Sequence, residues 1–147
     1  MLLIKNRRAL YEYELGDSYV AGVVLEGHEV KSLRQKHGSL VGSFVRIVDG
    51  EAFLINAQIS PYKFASILDH DPKRTRKLLL SKQEIRSVEQ SILIKNQTLV
   101  PIAFLLEHNK IKLRFALGKG RKKGDKRKYL RERAEKRDNA ADTSLAR

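Results

Sequence analysis

Apolar and polar residues alternate along much of this chain with a period of two, which places neighbouring side chains on opposite faces of a β-strand. The alternation is clearest in residues 110–117, where every second position is apolar and most positions between are cations. The apolar set is Ile111, Leu113, Phe115 and Leu117, and the cations are Lys110, Lys112 and Arg114. This segment predicts a strand that buries one face and presents a row of positive charge on the other.

Short apolar runs separated by turn residues predict the other strands. They are residues 11–15, 19–25, 43–48, 51–55 and 99–106. Asp49-Gly50 tolerates the positive φ angles of a tight turn, so residues 43–55 give the strongest hairpin signal. Gly16-Asp17 is interpreted as a turn between the first two strands, and residues 107–109 as the turn that precedes residues 110–117.

Helical patterns are fewer. Residues 29–36 place two apolar residues three apart among polar ones, which predicts a short helix with one buried edge. Ser81 and Glu84 have the spacing of a capping box, so a second helix is predicted to begin there. Residues 60–76 are mostly polar and predict a long loop, whose cationic end favours a functional role.

The length of 147 residues is that of one ordinary domain, and several short strands with few helices favour a mainly β fold. We predict a small closed antiparallel β-barrel with two or three short helices, because closure leaves no sheet edge exposed. The chain has no cysteine, which excludes disulfides, zinc knuckles and thiol nucleophiles.

The composition changes towards the C-terminus. Residues 118–147 carry 12 basic and 5 acidic residues, a net charge of +7 within a total of +13. Part of this segment suits a helix, but Tyr129, Leu130 and Ala134 are almost its only apolar residues. We therefore predict a barrel over residues 1–117 and a flexible basic C-terminal tail over residues 118–147, disordered until a partner orders it.

The net charge of +13 indicates a polyanionic partner, and charge alone does not distinguish DNA, RNA and an anionic membrane. The longest apolar run, residues 99–106, is too short to span a bilayer, and the N-terminus lacks the pattern of a signal peptide, so we expect a cytoplasmic protein with no membrane partner. Cations gather in four clusters, residues 6–8, 73–77, 110–114 and 119–123. Clusters that converge on one barrel face would fit a folded RNA, whose phosphates and 2′-hydroxyls are recognised by shape.

Catalytic and metal sites have little support in the sequence. The chain has four histidines, His28, His37, His70 and His108. They show no metal-ligand spacing and are interpreted as surface or loop residues, so no metal or cofactor is predicted. Acidic pairs such as Glu26 and Glu29 are interpreted as surface charge. Two alternatives stay open: a protein that packs ribosomal RNA, and a metal-dependent RNA nuclease that uses Asp69 and Asp71 of the loop.

Several blocks of residues occur in order over nearly the whole chain. They are Asn6-Arg7-Arg8-Ala9, Ala21-Gly22-Val23-Val24-Leu25 with Gly27 and Glu29-Val30-Lys31-Ser32-Leu33-Arg34, Gly42-Ser43-Phe44, Asp71-Pro72 with Arg74 and Arg76-Lys77-Leu78-Leu79-Leu80, and Gly118-Lys119-Gly120 with Lys122 and Asp125-Lys126-Arg127. In this order they resemble the small protein B (SmpB) family, the SsrA-binding proteins of bacterial trans-translation.

The resemblance implies an antiparallel barrel similar to the oligonucleotide-binding fold (OB-fold), with added helices and a tail that is unstructured in solution. It also implies a non-catalytic adaptor, monomeric and without a cofactor, that binds the tRNA-like domain of transfer-messenger RNA (SsrA RNA). Proteins of this family bring the alanyl-charged RNA, with elongation factor Tu, to ribosomes stalled on broken messages, where the nascent chain is tagged.

Matching positions carry the family's functional residues onto this chain. Residues placed against the RNA are Asn6, Leu79 and Lys112, with Arg7, Arg8, Lys77 and Arg114 beside them. Residues of the tail in the empty message channel near the decoding centre are Lys119, Arg121, Lys122, Asp125, Lys126 and Arg127. Val20 stands where the family usually has an acidic residue before Ala-Gly, so that RNA contact is missing or compensated. Gly124 stands where many members carry a His or an aromatic residue that stacks on a ribosomal base.

Overall fold

The structure, a computed structural model, describes residues 1–62 and 70–145, with side chains described as far as residue 136. In chain order its elements are β1 (Leu2–Lys5), α1 (Arg7–Glu12), β2 (Tyr13–Val23), α2 (Gly27–Arg34), β3 (Gly38–Ser39), β4 (Phe44–Val48), β5 (Glu51–Ile55), β6 (Gln58–Ile59), β7 (Arg76–Leu79), α3 (Lys82–Lys95), β8 (Thr98–Glu107), β9 (Lys110–Gly120) and α4 (Lys123–Leu145). The prediction of a mainly β chain with a few helices is confirmed.

Seven strands form one sheet in the order β1-β8-β9-β2-β7-β5-β4, and each neighbouring pair is antiparallel. Strands β3 and β6 form a separate two-stranded sheet. Strand β4 packs near β8, so the large sheet curves back on itself. Over the described residues, however, β1 and β4 remain the two edges of the hydrogen-bonded order, and the prediction of a closed barrel is not confirmed.

Both predicted hairpins are confirmed. Strands β4 and β5 join through Asp49 and Gly50, whose φ angles are 52° and 76°. Strands β8 and β9 join through His108 and Asn109, with φ angles of 50° and 62°. Positive φ at both central positions gives a turn whose twist matches that of the flanking strands, which is why short polar residues and glycine stand there.

The interpretation of Gly16-Asp17 as a turn is wrong. These residues lie inside β2, one strand of eleven residues, and the register against β9 shifts between Leu15 and Ser18. The pair therefore marks a bulge within a continuous strand. Strand β9 also runs three residues beyond the predicted end at Leu117, where a Cβ on Gly118 would lie 2.8 Å from Val100 Cγ2, so only glycine lets the strands approach this closely.

The sequence pattern did not predict several short elements. They are β1, α1, β3, β6 and β7. Strand β7 begins at Arg76, the last residue of the predicted loop; the described parts of that loop, residues 60–62 and 70–75, contain neither helix nor strand. Elements this short carry too few residues to show a period, and their pairing partners are distant in sequence.

The core lies between the inner face of the large sheet and helices α2 and α3. In β9 the predicted alternation is confirmed, because Leu113, Phe115 and Leu117 are fully buried while Arg114 is exposed. Helix α3 begins as predicted: Ser81 Oγ accepts a hydrogen bond from the Glu84 N–H at 3.1 Å, and Glu84 Oε1 accepts one from the Ser81 N–H at 3.2 Å. The buried helical side chains include Leu33 of α2 and Ile85 and Val88 of α3.

A fully buried ion pair joins α2 to the large sheet. The interpretation of Glu29 as surface charge is wrong, since Glu29 and Arg76 are both 0% exposed. Arg76 Nε donates to Glu29 Oε2 at 2.9 Å, Nη1 donates to the Ala57 carbonyl at 2.6 Å, and Nη2 donates to Oε2 and to the Pro72 carbonyl. Arg74 donates to the other carboxylate oxygen. Arg76 is therefore not available to a partner, although it belongs to the cationic cluster at residues 73–77.

This network controls the ionisation of Glu29. Burial by itself would raise the pKa of the carboxyl, but hydrogen bonds from the Glu26 backbone N–H, Arg74 and Arg76 outweigh it and hold the pKa below the ordinary value of 4.5. Glu29 is therefore an anion at neutral pH, and its charge balances that of Arg76.

We expect Glu29→Gln to lower the free energy of unfolding by about 3–5 kcal/mol, because it leaves the buried Arg76 charge without a counter-charge. Urea unfolding at neutral pH measures this change. Glu51→Gln is the matched control: Glu51 pairs with Lys77 at 3.2 Å on the exposed surface, so its loss should cost less than about 1 kcal/mol. Equal losses in the two variants would contradict the assignment.

The same variant should remove part of the acid sensitivity. A carboxyl whose pKa is lowered by folding stabilises the protein above its unfolded pKa, and that stabilisation is lost as pH falls through the folded pKa. The unfolding free energy of the wild type should therefore fall as pH drops below 4.5, and the gap to Glu29→Gln should narrow. A gap that stays constant across this range would show that Glu29 is not the titrating group.

Candidate nucleic-acid interface

Four predicted RNA-binding residues lie together on the outer face of the central strands: Lys77, Leu79, Lys112 and Arg114. Gly22 of β2 pairs with Leu79 of β7 on one side and with Lys112 of β9 on the other, so the three form one row across the sheet. The next row pairs Val20 with Arg114. We call this surface the β7–β2–β9 face; its residues are Val20, Gly22, Lys77, Leu79, Lys112 and Arg114.

The absence of a side chain at Gly22 shapes this face. A Cβ there would lie 3.3 Å from Leu79 Cδ1, so a larger residue would crowd the row. The result is a shallow concavity of about 260 Å³ whose lining includes Gly22, Leu79 and Lys112. Leu79 is 57% exposed, an unusual position for a large apolar side chain next to cations.

The cations of the β7–β2–β9 face are held only by weak surface contacts. Lys77 lies 3.2 Å from Glu51, and Lys112 lies 3.6 Å from Glu107. Among the residues that the structure describes, Arg114 has no ion-pair partner. Exposed pairs of this kind contribute little to stability, so their lysines can exchange a carboxylate for a phosphate at low cost.

Asn6 is placed differently from the other predicted RNA-binding residues. It is 4% exposed, and its Nδ2 donates to the Leu40 carbonyl at 3.2 Å and to the Pro101 carbonyl at 2.9 Å. Its Oδ1 accepts from the Ala9 N–H at 3.2 Å, which caps the start of α1. The side chain of Asn6 is thus engaged inside the protein, and it positions Arg7 and Arg8, which are exposed on α1.

Helix α1 lies at the opposite end of β2 from the β7–β2–β9 face. It is followed directly by Tyr13, which pairs with Gly120, whereas the face is centred on Gly22. Nine residues of strand separate the two points, on the order of 30 Å along the strand. The predicted RNA-binding residues therefore form two groups, one on the sheet and one on α1.

The start of the predicted tail packs on α1. The Arg121 N–H donates to the Glu12 carbonyl at 2.8 Å, and Arg121 Nε donates to the Tyr13 carbonyl at 3.2 Å. The Arg121 guanidinium also lies 4.4 Å from the centre of the Tyr129 ring, and the Lys126 ammonium lies 5.5 Å from that of Tyr11. Arg121 and Lys126 are thus half-buried.

The remaining predicted tail residues are exposed. They are Lys119, Lys122, Asp125 and Arg127. With Arg7, Arg8, Arg121 and Lys126 they give a second cationic surface, which we call the α1–α4 surface.

The residues considered for catalysis or metal binding are placed as follows. Asp69 lies outside the described residues, and Asp71 accepts a hydrogen bond from the Lys73 N–H at 2.9 Å. His28 is 9% exposed, so its interpretation as a surface or loop residue is wrong. Its partner is His70, 42 positions away in sequence, and no local signal could have predicted that pairing.

No helix in residues 1–62 or 70–145 combines the length and apolarity needed to span a membrane. The fold and its surface together define a class of protein: a mainly antiparallel β domain with exposed rows of cations, suited to binding a nucleic acid by its phosphates.

Comparison with known proteins gives the family. A family model described as "SmpB protein" matches residues 3–144, nearly the whole chain. The chain belongs to the SmpB family.

Individual relatives agree with this assignment. An SsrA-binding protein of Aquifex aeolicus is 46% identical over 137 residues, which cover 92% of this chain and 87% of that protein. One of Chlamydia pneumoniae is 41% identical over 139 residues, covering 95% of this chain and 92% of that protein. A solved chain described as "tmRNA-SmpB: a journey to the center of the bacterial ribosome" superposes with a TM-score of 0.70 at 38% identity, covering 89% of this chain and 96% of that one.

We expect Asn6→Ala to destabilise the protein by about 2 kcal/mol, because it removes a helix cap and leaves the Leu40 and Pro101 carbonyls without their donor. Thermal or urea unfolding measures the loss. Arg7→Ala, at an exposed neighbouring position, is the control and should change stability by less than about 0.5 kcal/mol. An Asn6→Ala protein that is as stable as the wild type but loses RNA affinity would instead indicate a direct RNA contact.

Proposed function

We propose that this chain is a non-catalytic adaptor that binds the tRNA-like domain of SsrA RNA and brings it to stalled ribosomes for trans-translation. Membership of the SmpB family supports this function, and so do the relatives named SsrA-binding proteins. The description of the similar solved chain also mentions tmRNA-SmpB and the bacterial ribosome. The chain makes and breaks no bond in this process. It works in the cytoplasm as a monomer, and elongation factor Tu joins the complex through the charged RNA.

The observation that carries the proposal is the row formed by Leu79, Gly22 and Lys112 on the outer face of the sheet. An exposed leucine beside a glycine provides a flat apolar contact for a ribose or a base, while Lys77, Lys112 and Arg114 provide charge for the neighbouring phosphates. Structured RNA is recognised by this combination of shape and phosphate contacts.

The register of β2 also suggests how the chain compensates for Val20. An acidic side chain at position 20 of β2 would lie directly opposite Arg114 on the neighbouring strand β9, and opposite charges in such positions attract. Val20 leaves the Arg114 guanidinium free of that competition. We propose that Arg114 contacts an RNA phosphate in place of the contact that the family's acidic residue makes.

The division into an RNA-binding body and a ribosome-binding tail is part of the proposal. Residues 118–120 complete β9, so the tail begins at about Arg121 rather than at Gly118. Its contacts with the body involve Tyr11, Arg121, Lys126 and Tyr129. So small an anchoring surface supports a tail that leaves the body and becomes ordered in the message channel.

The fold of the body is also part of the proposal. The curvature that brings β4 near β8 supports a barrel closed by packing rather than by hydrogen bonds.

We expect the double variant Lys112→Ala with Arg114→Ala to weaken binding to SsrA RNA and to reduce the slope of log affinity against log salt by about 2, roughly one per lost phosphate contact. Titration of the RNA at several salt concentrations measures both quantities. Lys82→Ala changes an exposed cation on α3 that is not one of the residues of this face, and it should leave the slope nearly unchanged.

An unrelated structured RNA of equal length tests specificity. At near-physiological salt the wild type should prefer SsrA RNA, and equal affinity for the two RNAs would contradict the proposal. Constant co-sedimentation with all ribosomes, stalled or not, would instead favour a protein that packs ribosomal RNA.

We expect a chain that ends after Lys122 to keep its fold and most of its SsrA RNA affinity but to lose tagging of nascent chains on a stalled message. Reconstituted translation with a message lacking a stop codon measures tagging. The matched control removes residues 138–147 alone, which carry two acidic residues and one basic residue. It should still tag, because every cation of the tail except Arg147 stays in place. Tagging by the shorter chain would contradict the role of the tail.

A further inference from the structure

We propose that Glu26, His28 and His70 form a binding site for one Zn²⁺ ion, separate from the two cationic surfaces. Each residue offers one ligand atom, and the three atoms lie within 4.8 Å of one another. His28 is in the first turn of α2, and Glu26 immediately precedes that helix. His70 lies in the loop residues that lead into β7. Two imidazole nitrogens and one carboxylate oxygen are a ligand set that zinc favours.

The hydrogen bonds of His70 already prepare it as a ligand. Its Nε2 lies 3.2 Å from the Ile59 carbonyl, which accepts only, so Nε2 carries the proton. The lone pair of Nδ1 then points at His28 Nε2, 2.8 Å away. Metal-binding histidines commonly donate their second N–H to a backbone carbonyl in this way, which fixes the tautomer and the orientation of the ring.

The two histidines need only a small movement to accept the ion. Without metal, His28 Nε2 donates a hydrogen bond to His70 Nδ1. When zinc binds both nitrogens, the proton of His28 Nε2 moves to His28 Nδ1, so both imidazoles stay neutral. Zinc–nitrogen bonds of about 2.0–2.1 Å in tetrahedral geometry place two nitrogens about 3.3 Å apart, so the rings separate by about 0.5 Å. Glu26 Oε2 lies 3.3 Å from His28 Nε2, and its side chain is 53% exposed, which leaves the fourth position to water.

Neighbouring charges leave the Glu26 carboxylate available. Among the described residues, the cation that pairs with Glu26 is Arg74, whose Nε lies 3.8 Å from Glu26 Oε1. That guanidinium makes its closer contact with the buried Glu29, so it holds Glu26 only loosely. Mg²⁺ and Ca²⁺ prefer sites made of oxygen, so the two imidazoles argue against them.

Zinc at this site would fix His70 to α2 and so restrain the segment that leads into β7. That strand carries Lys77 and Leu79 of the β7–β2–β9 face. The proposal does not rest on RNA binding, because zinc affinity is measured on the protein alone.

The test is a calorimetric titration of the untagged, chelator-treated full chain with Zn²⁺, together with Co²⁺ absorption as a reporter of tetrahedral geometry. We expect one ion per chain, released by a chelator. His70→Ala and Glu26→Gln should each weaken binding by about tenfold or more, whereas His37→Ala and His108→Ala, at exposed histidines elsewhere, should leave it unchanged.

If a histidine variant unfolds, Glu26→Gln keeps the experiment decisive. Glu26 is exposed, so this variant should stay folded, and circular dichroism can confirm that it does. A wild type that takes up no zinc, or zinc binding that none of the His70 and Glu26 changes weakens, would overturn the proposal. In that case the three residues form only a hydrogen-bonded cluster.

Discussion

The buried ion pair between Glu29 and Arg76 is the constraint on which the rest of the structure depends. A buried ion pair is tolerated only when the two charges are well aligned and nearly all of their remaining polar atoms have hydrogen-bond partners. The pair meets this condition by adding the carbonyls of Ala57 and Pro72 and the side chain of Arg74. It therefore fixes α2, the turn after β5 and the first residue of β7 relative to one another.

The position of β7 in turn determines the β7–β2–β9 face, which is the proposed RNA-binding surface. Because side chains alternate along a strand, an inward Arg76 requires an outward Lys77, an inward Leu78 and an outward Leu79. The antiparallel register then sets Leu79 against Gly22, and the opposite edge of β2 sets Gly22 against Lys112. A buried arginine and an exposed lysine, adjacent in sequence, thus have different surroundings: Arg76 holds the strand from inside, and Lys77 lies on the proposed RNA-binding surface beside Glu51.

The N-terminal end of α2 makes several non-local polar contacts. Glu26, His28 and Glu29 lie within four residues, and all of them meet groups from residues 70–76. Residues 70–75, which lead into β7, are therefore held by polar contacts with α2. At the far end of β2, Asn6 acts in a comparable way, since its buried amide ties α1 to the carbonyls of Leu40 and Pro101 and leaves Arg7 and Arg8 at the surface.

By itself the sequence determined what a local period can express: the two hairpins, the start of α3 at Ser81, the inward and outward faces of β9, and the cationic character of the C-terminal segment. Ordered motifs also led to the family and to most residues of the sheet surface. Only the tertiary structure decided that Glu29 and Arg76 are buried partners, that Asn6 faces inward, that Gly16-Asp17 is a bulge, and that His28 meets His70. These outcomes depend on contacts between residues tens of positions apart, where the balance between desolvation and pairing, rather than any neighbouring residue, decides which polar groups lie inside.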